Sequence, residues 1–285
     1  MSEQPRSRAT LAGIVVGDGC PVAVIGVLNV SPESFYAGSI HLDGGSLVRA
    51  AEAMVEAGAV IIDVGAMSTA PYLEAAVSEA EEQDRLASAV EILIAKVPVA
   101  ISADTARRGP AEAAIDAGAR VLNDVSGLAD PGVARLAAER DVSIILMPHR
   151  PDRASSDPLC VVKSGLERSL ASARAAGISD DRIALDPGIG FFLTDRQARA
   201  RWDVSVLAGL DRLRSLGRPL CVAVSRKSFI GTLTDHGDPA DRLAGSLAAT
   251  AAAVLHGAAV IRTHDVAATR DAVRVAEGIR RAAAS

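Results

Sequence analysis

Aromatic residues are scarce in this sequence of 285 residues: they make up 2% of it, whereas hydrophobic residues as a whole make up 49%. The apolar side chains are therefore mostly small or branched aliphatic ones, with alanine and valine prominent. Such side chains suit close packing of helices on strands, with valine and isoleucine in the strands. The chain is also close to the ~250 residues of a barrel of eight strands and eight helices.

Cysteine, basic runs and long apolar stretches are scarce as well. Cys20, Cys160 and Cys221 stand far apart and in no C-x-x-C pair, which argues against a zinc site and a disulfide scaffold. The net charge of −5 without a basic block argues against binding of nucleic acid. The longest apolar stretch, LAATAAAVLHGAAV, is too short for a membrane span, and the N-terminal residues lack the apolar segment of a signal peptide. We therefore expect a soluble cytoplasmic protein that binds neither nucleic acid nor membranes.

Short runs rich in valine and isoleucine alternate with longer segments of helical spacing, such as Leu47–Ala57 and Ala111–Ala117. The runs predict eight buried parallel strands, at Val22–Asn29, Val60–Val64, Val99–Asp104, Arg120–Asn123, Ser143–Met147, Ile183–Asp186, Leu220–Val224 and Val260–Arg262. Eight such units without a linker predict one α/β domain, a single (β/α)8 TIM barrel over residues 21–285, after a polar extension or first hairpin over residues 1–20. A doubly wound open sheet is the alternative, although no glycine-rich phosphate loop follows the first strand.

Polar or charged residues stand at or just beyond the ends of almost all the predicted strands. They are Asn29, Asp63, Asp104, Asn123, Asp186, Lys227, Arg262 and His264. A single Asp or Asn at a strand end is most often a turn former or a helix N-cap. A barrel, however, brings the carboxyl ends of its strands together on one face, where such enzymes carry their active sites. The whole set therefore predicts a site that hydrogen-bonds the amide-like edge of a heterocycle and offsets negative charge.

Seven segments follow one another in the order GVLNVSPESF, DVGAMSTAP, ISADT, GARVLNDVSG, LDPGIGFF, SRKSFIG and RTHDV. Their order and spacing, between about Val22 and Ala276, resemble those of the dihydropteroate synthase family of pterin-binding TIM-barrel enzymes. The resemblance implies a transferase of folate biosynthesis, in which 6-hydroxymethyl-7,8-dihydropterin diphosphate loses diphosphate and the amine of p-aminobenzoate bonds to the exocyclic methylene. It further implies Mg2+ as the cofactor and a homodimer as the assembly.

The resemblance also implies roles for residues at the strand ends. Asp104, Asn123, Asp186 and Lys227 resemble the set that holds the pterin. A deep carboxylate such as Asp186 can accept two parallel charge-assisted hydrogen bonds from the pterin amino group and ring N–H. Lys227 would also stabilise the reacting region, whereas Asp63 is left between supporting these groups and capping a helix.

Arg262 and His264 resemble the pair that binds the diphosphate, and with Lys227 they are the expected catalytic groups. The planar donor fork of arginine suits two phosphate oxygens. Asn29 resembles the asparagine associated with magnesium, an ion that prefers hard oxygen ligands and often bridges substrate phosphates. Since one carboxamide cannot hold a metal alone, we expect Mg2+ binding to depend on the diphosphate. The residues implied on the arylamine side and its loop are Thr69, Pro71, Phe191 and Ser228.

Four departures from the family pattern leave alternatives open. Met67 and Ala70 stand where the family usually has glutamate and arginine, and Leu193 stands where it usually has lysine. His149 is displaced by one position in MPHR, and the first loop lacks an acid after Phe35. The pterin-binding residues thus match the family while part of the anion site differs.

Three functions fit this pattern. The first is dihydropteroate synthesis with altered loops, and the second is the same condensation with a larger arylamine, such as the ribosyl-substituted aniline of a methanopterin-type pathway. The third is a pterin-binding paralogue without activity. A corrinoid-linked methyltransferase on a related barrel fits less well, because a methyl-pterin has no diphosphate for the RTHDV segment to bind.

Overall fold

A computed structural model of the protein describes residues 7–31, 44–67, 77–149 and 156–283. Its strands are β1 (Arg8–Leu11), β2 (Ile14–Gly17), β3 (Ala23–Asn29), β4 (Ile61–Gly65), β5 (Ala100–Asp104), β6 (Val121–Asp124), β7 (Ser143–Leu146), β8 (Ile183–Leu185), β9 (Leu220–Val222) and β10 (Ala258–Thr263). Strands β3 to β10 form a closed barrel in chain order, with β10 beside β3 and every neighbouring pair parallel. The predicted barrel is confirmed, with all eight strands in place, and the open sheet is wrong.

Within the described ranges, one α-helix follows each barrel strand, except that two follow β9. These are α1 (Gly44–Glu56), α2 (Glu79–Ile94), α3 (Arg108–Asp116), α4 (Pro131–Glu139), α5 (Pro158–Ala175), α6 (Arg196–Ala208), α7 (Ser228–Thr234), α8 (Leu243–Leu255) and α9 (Val266–Ala283). Of the helices in the described ranges, none has the length and apolarity needed to cross a lipid bilayer.

Local sequence sets several of the helix ends. Four helices begin where a side-chain oxygen accepts a backbone N–H of the first turn, at Ser78, Asp130, Asp157 and Asp195. Gly58 and Gly118 follow the ends of α1 and α3 with φ of 101° and 117°. These positive angles favour glycine, so both residues are suited to the position that follows a helix end. The caps thereby fix where each chain segment turns back to the next strand.

Inside the barrel, side chains of alternate strand residues form a small apolar core. It includes Ile25, Ile61, Val121, Ala184 and Val260. The hairpin of β1 and β2 adds Leu11 and Val16 to the same core. Ser143 Oγ ties this hairpin to β7, because it accepts the Ala12 N–H at 3.1 Å and donates to the Thr10 carbonyl at 3.0 Å. The apolar floor leaves the opposite, carboxyl end of the strands for polar residues.

Candidate active site

The polar residues at the carboxyl ends of the strands lie one layer above the apolar interior. Asp63, Asn123, Asp186 and Arg262 each come two residues after an inward-facing apolar residue of the barrel core. Since strand side chains alternate with a period of two, these polar groups also face the barrel interior. They are buried or nearly so, with Asp63 fully inaccessible to solvent. Buried polar groups in this number are costly unless they bond each other or a ligand.

Arg262 joins two carboxylates across the barrel. Its Nε donates to Asp63 Oδ2 at 2.6 Å, and its Nη2 donates to Asp104 Oδ2 at 2.5 Å. Asn123 Nδ2 lies 3.5 Å from the same Asp63 oxygen, at the outer limit of a hydrogen bond. Asp63 therefore supports Arg262 rather than capping a helix, which decides between the two roles that the sequence left open.

The electrostatics of this cluster follow from burial and mutual attraction. Burial lowers the pKa of Arg262, but Asp63 and Asp104 outweigh it, so that the pKa of Arg262 rises above its ordinary value. Burial raises the pKa of Asp104 to about 7, although Arg262 opposes the rise. The Oδ1 atoms of Asp63 and Asp104 are buried and have no hydrogen-bond partner among the described residues. The cluster thus offers two buried acceptor oxygens to a ligand with N–H groups.

Asp186 lies on the opposite side of the barrel mouth, just beyond β8. Its Oδ1 accepts the Gly188 N–H at 2.7 Å. Burial raises the pKa of Asp186, whereas the Gly188 N–H, Lys227 and Arg262 act to lower it. Asp186 is therefore a buried carboxyl group with two cations in its neighbourhood.

Lys227 follows β9 and directs its ammonium group over the Phe191 ring, with Nζ 4.4 Å from the ring centroid. Burial lowers the pKa of Lys227 to about 8; Arg262 adds to the fall, and Asp186, Asp203 and Asp104 oppose it. Lys227 thus remains mostly protonated at neutral pH. Phe191, which the resemblance implies on the arylamine side, is half-buried beside Lys227.

His264 is held by Ser225, which lies just beyond β9. Ser225 Oγ accepts the His264 backbone N–H at 3.2 Å and lies 2.9 Å from its Nδ1. Burial lowers the pKa of His264 to about 3, and Arg262, Lys227 and Arg226 add to the effect. His264 is therefore a neutral imidazole at physiological pH.

Arg226 and Asp265, which follow Ser225 and His264 in the chain, also pair with each other. Arg226 forms a bidentate ion pair with Asp265, at 2.8 and 2.6 Å, and donates to the carbonyls of Pro239 and Ala240. Arg226 has a positive φ of 55°, which this network holds in place. These contacts give Arg226 a structural role at the rim of the barrel. Together with Ser225 and His264, the pair fastens the loop of Lys227 to the loop of β10.

Asn29 ends β3 at the rim of the same cluster. A Cβ on the neighbouring Gly65 would lie 3.3 Å from Asn29 Oδ1 and 3.9 Å from Asp104 Oδ2, so the glycine leaves space between these oxygens. Among the described residues there is no group of three or more His, Cys, Asp or Glu side chains that could hold a metal ion. The described part of the chain therefore does not supply a complete metal site by itself.

Of the remaining predicted site residues, one lies in the described ranges and two do not. Ser228 is half-buried in the first turn of α7, next to Lys227. Thr69 and Pro71 lie outside the described residues, as does Ala70. Leu193, which replaces the family's lysine, is half-buried, and its carbonyl accepts a hydrogen bond from Arg199 at 3.1 Å. The roles implied for these residues stay predictions.

Two buried acids near the site were not expected from the sequence. Asp203 of α6 accepts the Gly190 N–H at 2.9 Å. Glu82 of α2 accepts from Thr105 at 2.6 Å and from Arg107 at 3.0 Å. Both acids sit in helices with many charged residues, so the sequence pattern alone does not separate them from surface acids.

Comparisons with known proteins agree with this geometry. The family described as "Pterin binding enzyme" matches residues 25–264. The dihydropteroate synthase of Bacillus subtilis (strain 168) is 38% identical over 244 residues, which cover 85% of this chain and 83% of that protein. Among solved structures, the dihydropteroate synthase of Coxiella burnetii in complex with pteroic acid has a TM-score of 0.84 and 35% identity, covering 96% of this chain and 98% of the other. The Xanthomonas albilineans dihydropteroate synthase with 4-aminobenzoic acid has the same TM-score, identity and coverage.

Proposed function

Because the chain belongs to the dihydropteroate synthase family, we propose that it condenses 6-hydroxymethyl-7,8-dihydropterin diphosphate with p-aminobenzoate and releases diphosphate. The observation that carries the proposal is the ring of buried acids, carboxamide and cations at the carboxyl end of a closed barrel. Its members are Asp63, Asp104, Asn123, Asp186, Lys227 and Arg262. Relatives that were solved with pteroic acid and with 4-aminobenzoic acid share this fold, and each is 35% identical to this chain in sequence.

The pterin ring is recognised by the buried acceptors. Asp186 accepts hydrogen bonds from the pterin amino group and ring N–H, in the charge-assisted pairing that carboxylates make best. Asp104 and Asn123 meet the other polar edge of the ring, where Asp104 Oδ1 has no partner among the described residues. Lys227 donates to the pterin carbonyl. Both partners of each hydrogen bond are buried, so a ligand that lacks the matching group would leave a buried polar atom unpaired at a cost in free energy. This penalty makes the site selective for the pterin.

The departing diphosphate is met by Arg262 and His264. Arg262 uses Nε and Nη2 for the two carboxylates, and its Nη1 has no acceptor among the described residues. His264 is neutral, so it acts as a hydrogen-bond donor without adding charge. As the C–O bond breaks and the amine nitrogen bonds to the methylene, these donors stabilise the charge on the leaving oxygen. The arylamine approaches on the side of Phe191 and Ser228, and its excess proton leaves to solvent.

We propose Mg2+ as a cofactor that binds together with the diphosphate. Asn29 Oδ1 is a hard oxygen of the kind that Mg2+ prefers, and Gly65 leaves space beside it. Since the described residues contain no metal-binding cluster of three or more acids, histidines or cysteines, phosphate oxygens and water would contribute to the coordination. When bound, the ion would offset the charge of the diphosphate.

We propose a homodimer, formed through an apolar groove between α6, α7 and α8. The groove has a volume of about 420 Å3, and small residues of α8 line its floor. Val204 and Leu233 on its walls leave 39% and 63% of their surface exposed. A second copy of the chain would bury these side chains. Leu233→Asp should then give a monomer in light scattering, whereas Val275→Asp, on the equally exposed surface of α9, should leave the dimer intact.

We also propose a cytoplasmic location. The three cysteines of the chain are unpaired, and the cytoplasm is the compartment that keeps thiols reduced.

The test is an end-point assay with purified protein, Mg2+, the dihydropterin diphosphate and p-aminobenzoate, in which both diphosphate and the condensed product are measured. Equal amounts of the two products, lost in Lys227→Ala, are the expected result. Pterin binding by calorimetry without turnover would contradict the proposal. A larger arylamine in the same assay then separates a synthase of different amine specificity from a pterin binder without activity.

A further inference from the structure

Asp203 is a buried acid outside the barrel interior that contacts an active-site loop. It lies in the middle of α6 and is fully inaccessible to solvent. Its Oδ1 accepts the Gly190 N–H, while its Oδ2 is buried and has no hydrogen-bond partner among the described residues. A buried carboxylate with one unpaired oxygen is costly, and an asparagine would make the same bond to Gly190 at lower cost. The charge of Asp203 therefore calls for an explanation other than packing.

Gly190 connects Asp203 to Lys227. Gly190 has a φ of 87°, and a Cβ on it would lie 3.2 Å from Lys227 Cδ and 3.6 Å from Nζ. The aliphatic part of Lys227 thus lies directly on the backbone that Asp203 holds from the other side. Phe191, the next residue, has its ring 4.4 Å from the same ammonium group. The hydrogen bond that Asp203 accepts from Gly190 therefore fixes the turn that positions both Lys227 and Phe191.

The charges around the pair agree with this geometry. Burial raises the pKa of Asp203 to about 6, and the Gly190 N–H, Lys227 and Arg199 oppose the rise. Asp203 is consequently a carboxylate at neutral pH. The charged groups that face Lys227 from other elements are Asp186, Arg262, Asp203 and Asp104. Of the three acids among them, only Asp203 lies outside the predicted pterin-binding set.

We propose that Asp203 is a positioning residue for the condensation, which holds the Gly190–Phe191 turn against Lys227 and keeps Lys227 in its charged form. The catalytic part of this inference rests on the proposed function, but the effect on Lys227 does not. Asp203 touches neither substrate; it acts through Gly190 and through its charge. A purely structural Asp203 would affect stability and leave the titration of Lys227 unchanged.

The decisive variant is Asp203→Asn, which keeps the size and the acceptor for Gly190 but removes the charge. The chain has three lysines, Lys96, Lys163 and Lys227, so 13Cε-lysine labelling gives three signals that can be followed against pH. Loss of a nearby carboxylate should move the Lys227 midpoint down by about 0.5–1 unit. The Lys96 and Lys163 signals serve as internal references. This measurement needs no substrate, so it remains informative even if the chain catalyses nothing.

The same variant should move the alkaline fall of the reaction rate to lower pH and reduce kcat about two- to fivefold at pH 8. Below pH 6 the two proteins should converge, because Asp203 itself takes up a proton there. Asp195→Asn is the matched control: it removes an exposed carboxylate from the start of the same helix, where Asp195 accepts the Ala198 N–H at 2.7 Å. It should leave the Lys227 signal in place.

An unchanged Lys227 midpoint in folded Asp203→Asn would overturn the proposal, whatever the activity. An equal shift in Asp195→Asn would do the same, because it would reduce the effect to overall charge. Asp203→Ala, which also removes the acceptor for Gly190, should lose more activity than Asp203→Asn. Equal losses in the two variants would contradict the role of the Gly190 bond.

Discussion

Arg262→Ala is the substitution whose effect on stability the structure defines best. The guanidinium group is the only cation among the described residues that is bonded to Asp63 and Asp104, at 2.6 and 2.5 Å. The arginine side chain is 16% exposed, and the two carboxylates are 0% and 7% exposed. Removal of Arg262 therefore leaves two acids inside the barrel with no compensating charge in contact.

The expected cost is large and depends on pH. Breaking a buried ion pair from one side typically costs about 3–5 kcal/mol. Asp104 has a pKa of about 7 with Arg262 in place, and loss of the cation raises it further. Between pH 7 and the new pKa, the folded variant binds more protons than the folded parent, so the variant loses stability relative to the parent as pH rises. Each unit of this pKa increase adds about 1.4 kcal/mol to the cost at high pH.

Urea denaturation at pH 6 and pH 9 measures both parts of the prediction. Arg140→Ala is the control, since Arg140 pairs with Asp116 at 2.7 Å while both side chains are about half exposed. Its loss should cost at most about 1 kcal/mol at either pH. The reasoning fails if Arg262→Ala costs no more than this control, or if its cost is the same at both pH values.

Four further outcomes follow from the described contacts. Asp186→Asn should weaken binding of the dihydropterin about ten- to a hundredfold in calorimetry, because a neutral amide replaces a charge-assisted acceptor; unchanged affinity would remove Asp186 from the pterin site. His264→Gln should lower kcat/KM about tenfold without changing the pH dependence between pH 5 and 7, because the His264 pKa of about 3 lies below that window; loss of an acid limb in the variant would contradict a neutral His264. Arg107→Ala should lower the free energy of unfolding by about 1–3 kcal/mol in urea denaturation, since it leaves one Glu82 oxygen buried without its donor. EDTA should weaken calorimetric binding of the pterin diphosphate but not of the pterin alcohol, and an equal effect on both ligands would argue against a metal bound through the diphosphate.

The barrel and the position of its site were predictable because they depend on periodicity. Valine- and isoleucine-rich runs of three to eight residues recurred eight times, and the observed strand bounds differ from the predicted ones by at most two residues. The polar residues at the strand ends reach the barrel interior by the alternation of strand side chains. Ile61 and Val260 face the core, so Asp63 and Arg262, two residues later, had to face the same interior.

The partners of those polar residues were not predictable in the same way. Asp63 is separated from Arg262 by 199 positions along the chain, and no local pattern indicates which cation it will meet. Ser225 and His264 are 39 positions apart, and their contact depends on two loops leaving β9 and β10 side by side. Asp203 was missed for a related reason: in a helix rich in charged residues, its burial depends on the fit of the Gly190 turn, which is a tertiary property.

The pairing of these loops also explains how the chain can keep the residues of the proposed pterin site while other loops differ from the family. Lys227 is fixed from two sides: by the Ser225–His264 and Arg226–Asp265 contacts on one side, and by the Gly190 turn on the other. None of these contacts involves Met67, Ala70 or Leu193, which stand where the family usually has charged residues. Substitutions in those loops can therefore alter the proposed arylamine and diphosphate side without moving Lys227, which we propose as the lysine that binds the pterin. If that separation holds, restoring the family's residues by Leu193→Lys should change KM for the arylamine or the rate of diphosphate release and leave the calorimetric affinity for the pterin alcohol within about twofold. A large change in pterin affinity would mean that the two halves of the site are coupled through the Gly190 turn.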